Sequence, residues 1–578
     1  MSAPRRGATA MRARRWMSRR RGWIAAAVAI AAALALYAPV LDGPFIFDDV
    51  PQVVRNPGVR SMAAALHSGY QETRPLHMLS LAATYAVAGM DPFAFRLVNV
   101  LLHAACAWLL WAGLRRAVSR GPLPELAAAV FLAHPVATEG VAYVHARSGI
   151  LAAACTLGAI ALYARWRSGA GGRAAYAGSV ACTAAAMLSK ESAVVAPVVT
   201  WLWAAAFLHA GDVRAAWRRE ARALIPHALC AGIVPLLFAV ATNPHTGTFG
   251  FGVVPWVAHA LTQVRAVAYL AGLVVVPVAN NIDYDFALST GPDGAVLASA
   301  AVLAAAIGGA IAVRRRAPAV AAGVVWFFVA LAPTNSLVPF KDILAERLAY
   351  LSLAGAAVAL GWAGARIAAA RRLAWAAIAA YLVALAALTV ARNRVLADPV
   401  ALWTQTVAAS PAKARPHINL GIALAERGNL DAAGAAFSRA LELAPGDHYA
   451  HYNMGVWLER RGDLPGAIAE FRAAVRLAPR DAYRAALARA ATRLGVAAFR
   501  AGDAARAEAL WREAIAADPR NSRALYNLSR AHLARGDRAG ARELLARAVA
   551  ADPSYERARR ALAELDGNGP PVPPDAAP

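Results

Sequence analysis

The chain reads as all-α in two parts, a polytopic membrane domain of packed helices followed by an α-solenoid of helical repeats. Three observations predict this. Of 578 residues, 59% are hydrophobic and 16% charged, with mean hydropathy +0.43, a composition too apolar for an ordinary soluble enzyme. Long apolar runs recur as far as residue 391, separated by short arginine clusters. Beyond residue 400 the composition changes and a period of 34 residues appears.

The net charge is +25, from 60 Lys+Arg against 35 Asp+Glu. A nucleic-acid binder can carry such an excess. Here the basic residues sit between apolar runs, the positive-inside pattern of a multi-pass membrane protein, so no nucleic-acid partner is expected. Lysine is confined to Lys190, Lys341 and Lys413, while Ala and Arg abound, as in proteins from GC-rich bacteria. Cys106, Cys155, Cys182 and Cys230 all lie inside apolar runs without a CxxC pair, which argues against a disulfide framework or a zinc site.

The elements follow in order. Residues 1–21 form a basic cytoplasmic N-terminus, and 22–40 can just span a bilayer as an uncleaved anchor. Further spans are expected near 95–114, 123–142, 148–165, 175–190, 191–209, 222–241, 295–313, 317–332, 350–368 and 373–391. Arginine clusters at 115–120, 165–173, 214–222, 314–316 and 366–372 fall on the cytoplasmic side if 74–90 is an amphipathic surface helix and 258–279 is re-entrant or interfacial. That arrangement has 22–391 as a membrane domain of about eleven spans and puts everything after it outside.

Residues 392–566 carry the repeats. "NLGIALAERGNLDAAGAAFSRALELAP" (419–445) is echoed at 453–479, 493–519 and 527–553, with Pro445, Pro479, Pro519 and Pro553 in register. Helix, glycine turn, second helix and closing proline make the tetratricopeptide pattern. Four full repeats are expected at 414–447, 448–481, 488–521 and 522–555, with a half repeat before them, a capping helix after them and a disordered tail at 567–578. Asn419, Asn453 and Asn527 recur at one position of the first helix. Side-chain amides offer both donor and acceptor, so a row of them in a concave groove can hold an extended acceptor peptide.

Ionisable residues at span ends are functional candidates by default. The outer side collects Asp48, Asp49, Arg55, Asn56, Glu72, Arg74, His77, Arg96, His134, Glu139, His145, Arg147, Lys190, Glu191, Lys341, Asp342, Glu346 and Arg347. Asp48 and Asp49 stand in "FIFDDVPQVVRNP", directly after the first span. A carboxylate there can deprotonate an acceptor hydroxyl, while Arg and Lys hold a phosphate and stabilise the charge that develops as it leaves. Together they suit inverting sugar transfer from a lipid-linked phosphate donor. Donor contacts are expected from Arg74, Arg96, His134, Glu139, Arg147, Lys190, Glu191, Glu346 and Arg347.

Five segments in order, "FIFDDVPQVVRNP", 74–104, "FLAHPVATEGVAYVHARSGILAA", "LSKESAVV" and "LAPTNSLVPFKDILAERLAYL", followed by the repeats, carry a resemblance. The chain resembles the transmembrane and tetratricopeptide-repeat-containing O-mannosyltransferases, and more widely the GT-C membrane glycosyltransferases. The resemblance implies a polyprenyl-phosphate sugar donor and a catalytic aspartate in the first outer loop, here Asp48 or Asp49. Asp49 is taken as the base and Asp48 as its positioning neighbour. It also implies that the tract of Glu139 and Arg147, the Lys190–Glu191 pair and the Glu346–Arg347 pair are the other marked segments. A bacterial chain would work in the inner membrane with its catalytic loop and repeats on the periplasmic side.

No cofactor is expected beyond the lipid-linked sugar. Asp48, Asp49, His134 and Glu139 could ligate a divalent ion, but no compact spacing such as HExxH is present, so no required metal is expected. Two alternatives stand beside protein glycosylation. One is transfer to a lipid or envelope glycan with the repeats docking a partner; the other is a non-catalytic membrane-anchored scaffold.

Overall fold

The computed structural model describes residues 4–67, 73–241, 254–336, 339–340, 342–370 and 373–567, with side chains from residue 20 onward. Glu72 and Lys341 of the outer charged set lie outside these residues, as do 568–578 of the expected tail. Among the described residues the regular structure is helical, without a β-strand. The chain divides into two compact units, Met1–Ala409 and Ser410–Pro578.

In the first unit, α1 (Pro4–Leu41) is continuous from the basic segment through the first apolar run. A loop with short turns leads to α2 (Met62–His67) and α3 (Pro75–Ala88). Next come α4 (Pro92–Ala117), α5 (Leu123–Ala133), α6 (Ala137–Ala142), α7 (Arg147–Arg167) and α8 (Gly172–Ser189). They are followed by α9 (Ala196–Phe207), α10 (Val213–Leu229), α11 (Ile233–Val240) and α12 (Trp256–Val275). The unit closes with α13 (Gly294–Val313), α14 (Pro318–Leu331), α15 (Tyr350–Ala370), α16 (Ala374–Ala397) and α17 (Pro399–Ala409). Eight helical stretches among the described residues are long and apolar enough to cross a membrane, so the unit has the make-up of a multi-pass membrane protein.

Two details differ from the sequence expectation, and a third extends it. The run 123–142 is not one helix. His134, ahead of Pro135, is extended (φ −80°, ψ 126°), because proline disfavours the helical conformation in the residue before it. The chain therefore breaks into α5 and α6, and their junction presents His134 and Glu139. The last membrane helix does not stop at 391 but continues through Ala397, and the second unit starts at Ser410 rather than 392. Helix α12, expected as a re-entrant or interfacial segment, is an unbroken 20-residue helix about 30 Å long, a length that also suffices for a bilayer core. Its polar contacts nevertheless run along loop segments. Ser289 N donates to Thr262 Oγ1 (2.8 Å), Gln263 Nε2 to Ile343 O (2.8 Å), Tyr269 Oη to Ala279 O (3.1 Å), and Val274 O bonds the His134 ring (2.9 Å).

Close backbone approach holds the bundle. A Cβ on Gly355 would lie 2.6 Å from Gly323 O and 2.8 Å from the Trp326 side chain, so α14 and α15 meet through their glycines, as small residues allow in membrane helices. The arginine-bearing ends are tied together separately. Buried Glu220 accepts from Tyr163 Oη (2.5 Å) and Arg167 Nη2 (2.7 Å) and pairs with His209 Nε2 (2.7 Å).

The second unit stacks four antiparallel pairs, α18 (Ala414–Glu426) with α19 (Leu430–Leu443), α20 (His448–Arg461) with α21 (Leu464–Leu477), α22 (Asp481–Arg500) with α23 (Ala504–Ala517), and α24 (Ser522–Ala534) with α25 (Arg538–Ala551). Helix α26 (Glu556–Leu565) packs on the last pair. Each turn places a glycine in the left-handed region, with φ +81° at Gly428, +87° at Gly462, +84° at Gly502 and +81° at Gly536, where a side chain would be strained. The six-residue slip before the third repeat is absorbed by α22, which has 20 residues where α20 has 14.

Candidate functional site

The stretch "FIFDDVPQVVRNP" forms a self-bonded loop after α1. Asn56 closes it, accepting from Gly58 N (2.8 Å) and donating to Gln52 O (3.0 Å). Arg96 of α4 clamps its start. Buried and without solvent, Arg96 donates to the carbonyls of Gly43 and Pro44 on one side and Ala142 (3.1 Å) on the other. Phe47 takes φ +51°, a conformation unusual for a side chain of this size, and packs edge-on to Trp403 (5.6 Å) and stacked on Tyr143 (6.3 Å).

The two acids that follow are in different surroundings. Asp49 is fully buried; its carboxylate accepts from His145 N (2.7 Å), Val144 N (3.4 Å) and Ile46 N (3.4 Å). Burial pushes its carboxyl up to about 7, against the opposing pull of these N–H groups and of the Arg96 charge. Asp48 is half-buried. Its N–H donates to Tyr143 Oη (2.8 Å), and the same hydroxyl hydrogen-bonds its carboxylate. Burial, reinforced by the charges of Asp48 and Asp49, pushes the Tyr143 phenol well above its ordinary range, so it stays protonated and orients Asp48. The sequence leaves open which of the two is the base and favours Asp49; of the pair, Asp48 is the one with exposed surface.

The cations gather around this loop. Arg347 lies with its guanidinium 5.8 Å from the Tyr143 ring centre. It pairs with Glu139, which also accepts from Arg347 N (3.0 Å), and reaches Asp342 (3.3 Å). Lys190 follows α8; a Cβ on Gly149 would sit 3.6 Å from its Nζ and 3.9 Å from Arg347 O. Half-buried, the Lys190 ammonium has no hydrogen-bond or ion-pair partner among the described residues. Beside it Arg74 grips Glu191 with both edge nitrogens (2.8 and 2.6 Å), leaving 13% of the Arg74 side chain exposed. His77 and His145 lie between these groups and Tyr143, with ring centres 6.1 Å apart for the histidine pair and 5.9 Å for Tyr143–His145.

The remaining expected donor contacts are turned inward. Arg147 is fully buried and donates to Asn99 Oδ1, Ser80 O, Thr84 Oγ1 and Phe95 O. His134 bonds Val274 O through Nε2 and accepts from Val136 N through Nδ1. Glu346 accepts from Tyr284 Oη (2.5 Å), Asn281 N (2.8 Å) and Asn280 Nδ2 (2.6 Å). With Arg96 these residues join segments distant in sequence and build the floor of the cluster, while Asp48, Lys190, Arg74 and Arg347 keep exposure to its surface. Tyr143, Tyr284, Asn280 and Asn99 escaped the sequence reading; the signal for them was a polar side chain inside or beside an apolar run. No group of three or more His, Cys, Asp or Glu among the described residues is arranged to hold a metal ion.

In the repeats, Asn419 and Asn453 are half-buried, and the Asn453 amide turns back to Tyr449 O (2.7 Å). Asn527 is buried. At the equivalent place in the third repeat Arg493 pairs with Glu459 of α20 (2.7 Å).

Tetratricopeptide-repeat family profiles match residues 397–448, 418–482 and 498–565. The chain is also similar to curated proteins named protein O-mannosyl-transferase. It is 31% identical to Tmtc1 of Drosophila melanogaster over 191 residues, 29% of this chain and 21% of that protein. It is 30% identical to TMTC2 of Homo sapiens over 195 residues (31% and 23%), and 34% identical to human TMTC1 over 170 residues (26% and 19%). The chain thus spans about a fifth of the length of these relatives. Among solved structures it is similar to MamA, with TM-score 0.22 and 19% identity over 27% of this chain and 86% of that one. YrrB, a repeat protein described as having an unusual peptide-binding site, aligns with TM-score 0.18 and 20% identity over 28% and 96%.

Proposed function

We propose that this protein is a GT-C-type membrane glycosyltransferase that moves a sugar from a polyprenyl-phosphate donor to a hydroxyl of an exported protein, with inversion at the sugar carbon. One observation carries the reading: a half-buried carboxylate, Asp48, and an ammonium that makes no hydrogen bond or ion pair among the described residues, Lys190, belong to one charged cluster around Tyr143 and Arg347. Asp48, held by Tyr143, takes the proton from the acceptor hydroxyl as it attacks the sugar carbon. The sugar–phosphate bond breaks on the opposite face, and Lys190 with Arg74 and Arg347 stabilises the departing phosphate. A phosphate is a good leaving group, so no general acid is required. Asp49 acts through the backbone, anchoring the loop on residues 144 and 145. The similarity to named O-mannosyl-transferases supports a protein acceptor, and the tetratricopeptide repeats are suited to holding it.

In this reading the cluster faces the periplasm, with α12 lying along the outer surface through its contacts to loop segments. The test is sugar transfer in membranes from a polyprenyl-phosphate sugar, by the full chain and by a form ending at Ala409. Loss of transfer to protein in the shortened form supports repeats that hold the acceptor. Undiminished transfer to envelope glycan would instead make the acceptor a glycan and the repeats a docking module.

A further inference from the structure

A cavity of about 790 Å³ lies between α1, α4, α5 and α16, away from the charged cluster. Its wall is apolar and largely alanine: Ala25, Ala29 and Ala32 of α1 face Ala128 and Ala129 of α5. These small side chains leave open a space that larger ones would fill. Ile24 and Val28 on its α1 side are 54% and 62% exposed, so the cavity communicates with the apolar surface of the bundle. Between Arg21 and Leu36, both in its lining, α1 rises about 22 Å, more than the roughly 15 Å depth of one leaflet's hydrocarbon.

One end of this cavity is polar. Arg21, Arg115 and Glu125 line it together with Trp108 and Trp111. Glu125 is already taken, accepting from Trp111 Nε1 (2.9 Å) and pairing with Arg115 (3.2 Å); Trp108 Nε1 donates to Gly22 O (3.1 Å). The exposed Arg21 therefore leaves a net positive charge at the mouth, and the sequence adds seven more arginines before it. Two indoles beside cations at the end of an apolar groove are what an interfacial headgroup meets.

We propose that this cavity binds an anionic phospholipid, with an acyl chain along the alanine wall and the headgroup phosphate against Arg21 and Arg115. It is distinct from a lipid-linked donor. The phosphate end of the cavity is 20 residues of α1, about 30 Å, from the loop that carries Asp48. The lipid serves as a wedge that completes the packing of α1 against α5 and α16.

The experiment is native mass spectrometry of the full-length protein, purified in mild detergent and incubated with phosphatidylglycerol or phosphatidylcholine, alongside thermal unfolding in each. Wild type should retain one phosphatidylglycerol and unfold at a higher temperature with it than with phosphatidylcholine. Arg21→Gln should cut that preference about fivefold, the effect of one cation near a lipid surface. Ala32→Phe and, separately, Ala129→Leu fill the groove; each should lose the adduct while eluting as a monodisperse species. Equal retention of both lipids, an adduct undiminished in the filled variants, or a co-purified polyprenyl phosphate lost on filling would overturn the proposal.

Discussion

Asp49→Asn separates anchoring from catalysis through its pH dependence. In the native loop the Asp49 carboxyl, ordinarily near 3.8, is held near 7 by burial. A carboxyl raised on folding favours the folded state when protonated. Its stabilisation is complete below about pH 3.8 and is lost as pH rises through 7. Between pH 5 and pH 8 the loss amounts to about 2–3 kcal/mol. Asparagine cannot ionise and keeps one acceptor for His145 N, but it sets an amide N–H₂ against Ile46 N and Val144 N, now 3.4 Å from the carboxylate. Those two long bonds together cost about 1–2 kcal/mol at any pH. By pH 5 wild type has already lost about 1.6 kcal/mol of this stabilisation, so the variant should be about level with it there and more stable than it by about 2–3 kcal/mol at pH 8. Thermal unfolding of both proteins in detergent, followed by tryptophan fluorescence at several pH values, measures this. Histidines titrating in the same range are common to both proteins and cancel in the difference. Parallel pH profiles would refute the burial of an ionisable Asp49.

Other outcomes follow from the same contacts. Lys190→Met removes an ammonium that no described residue bonds, so folding should be unchanged while transfer falls by about 10²-fold or more, as when a charge-stabilising donor is removed; assay of transfer beside thermal stability checks both. Arg96→Met leaves the carbonyls of Gly43, Pro44 and Ala142 without their donor, and should release the loop and cost about 3 kcal/mol or more, visible as rapid proteolysis between residues 42 and 60. Gly355→Val drives methyl groups into Gly323 O and Trp326 and should lower the unfolding temperature, at a cost of about 1–3 kcal/mol, with Gly355→Ala intermediate.

Much of the architecture was legible because it rests on periodicity and composition. The glycine-turn spacing located all four repeat turns, and the apolar runs located the long helices. Helix ends were less legible. The break at His134–Pro135 interrupts a run whose hydropathy barely changes, and the continuation of α16 to Ala397 passes through Arg392 and Arg394, which read as a span end. At the charged cluster, the segments were legible and the direction of each side chain was not. Arg96 and Arg147 have the same charge as Arg74 and Lys190, yet they spend it on backbone carbonyls and amide oxygens of their own fold. Adjacent residues such as Asp48 and Asp49 differ only in which way the loop turns them. The positive φ of Phe47 and the packing of Trp403 and Tyr143 decide that, and local sequence carries no signal for it.

The most direct measurement compares Asp48→Asn with wild type for transfer of sugar from a polyprenyl-phosphate donor to protein hydroxyls in membranes. Among the described residues the Asp48 carboxylate bonds the Tyr143 hydroxyl and accepts no backbone N–H, and asparagine keeps that acceptor, so the unfolding temperature should be unchanged. The rate should fall by about 10²–10⁴-fold, the contribution of a positioned general base. Full transfer by a stable Asp48→Asn protein would contradict the assignment of Asp48 as the base.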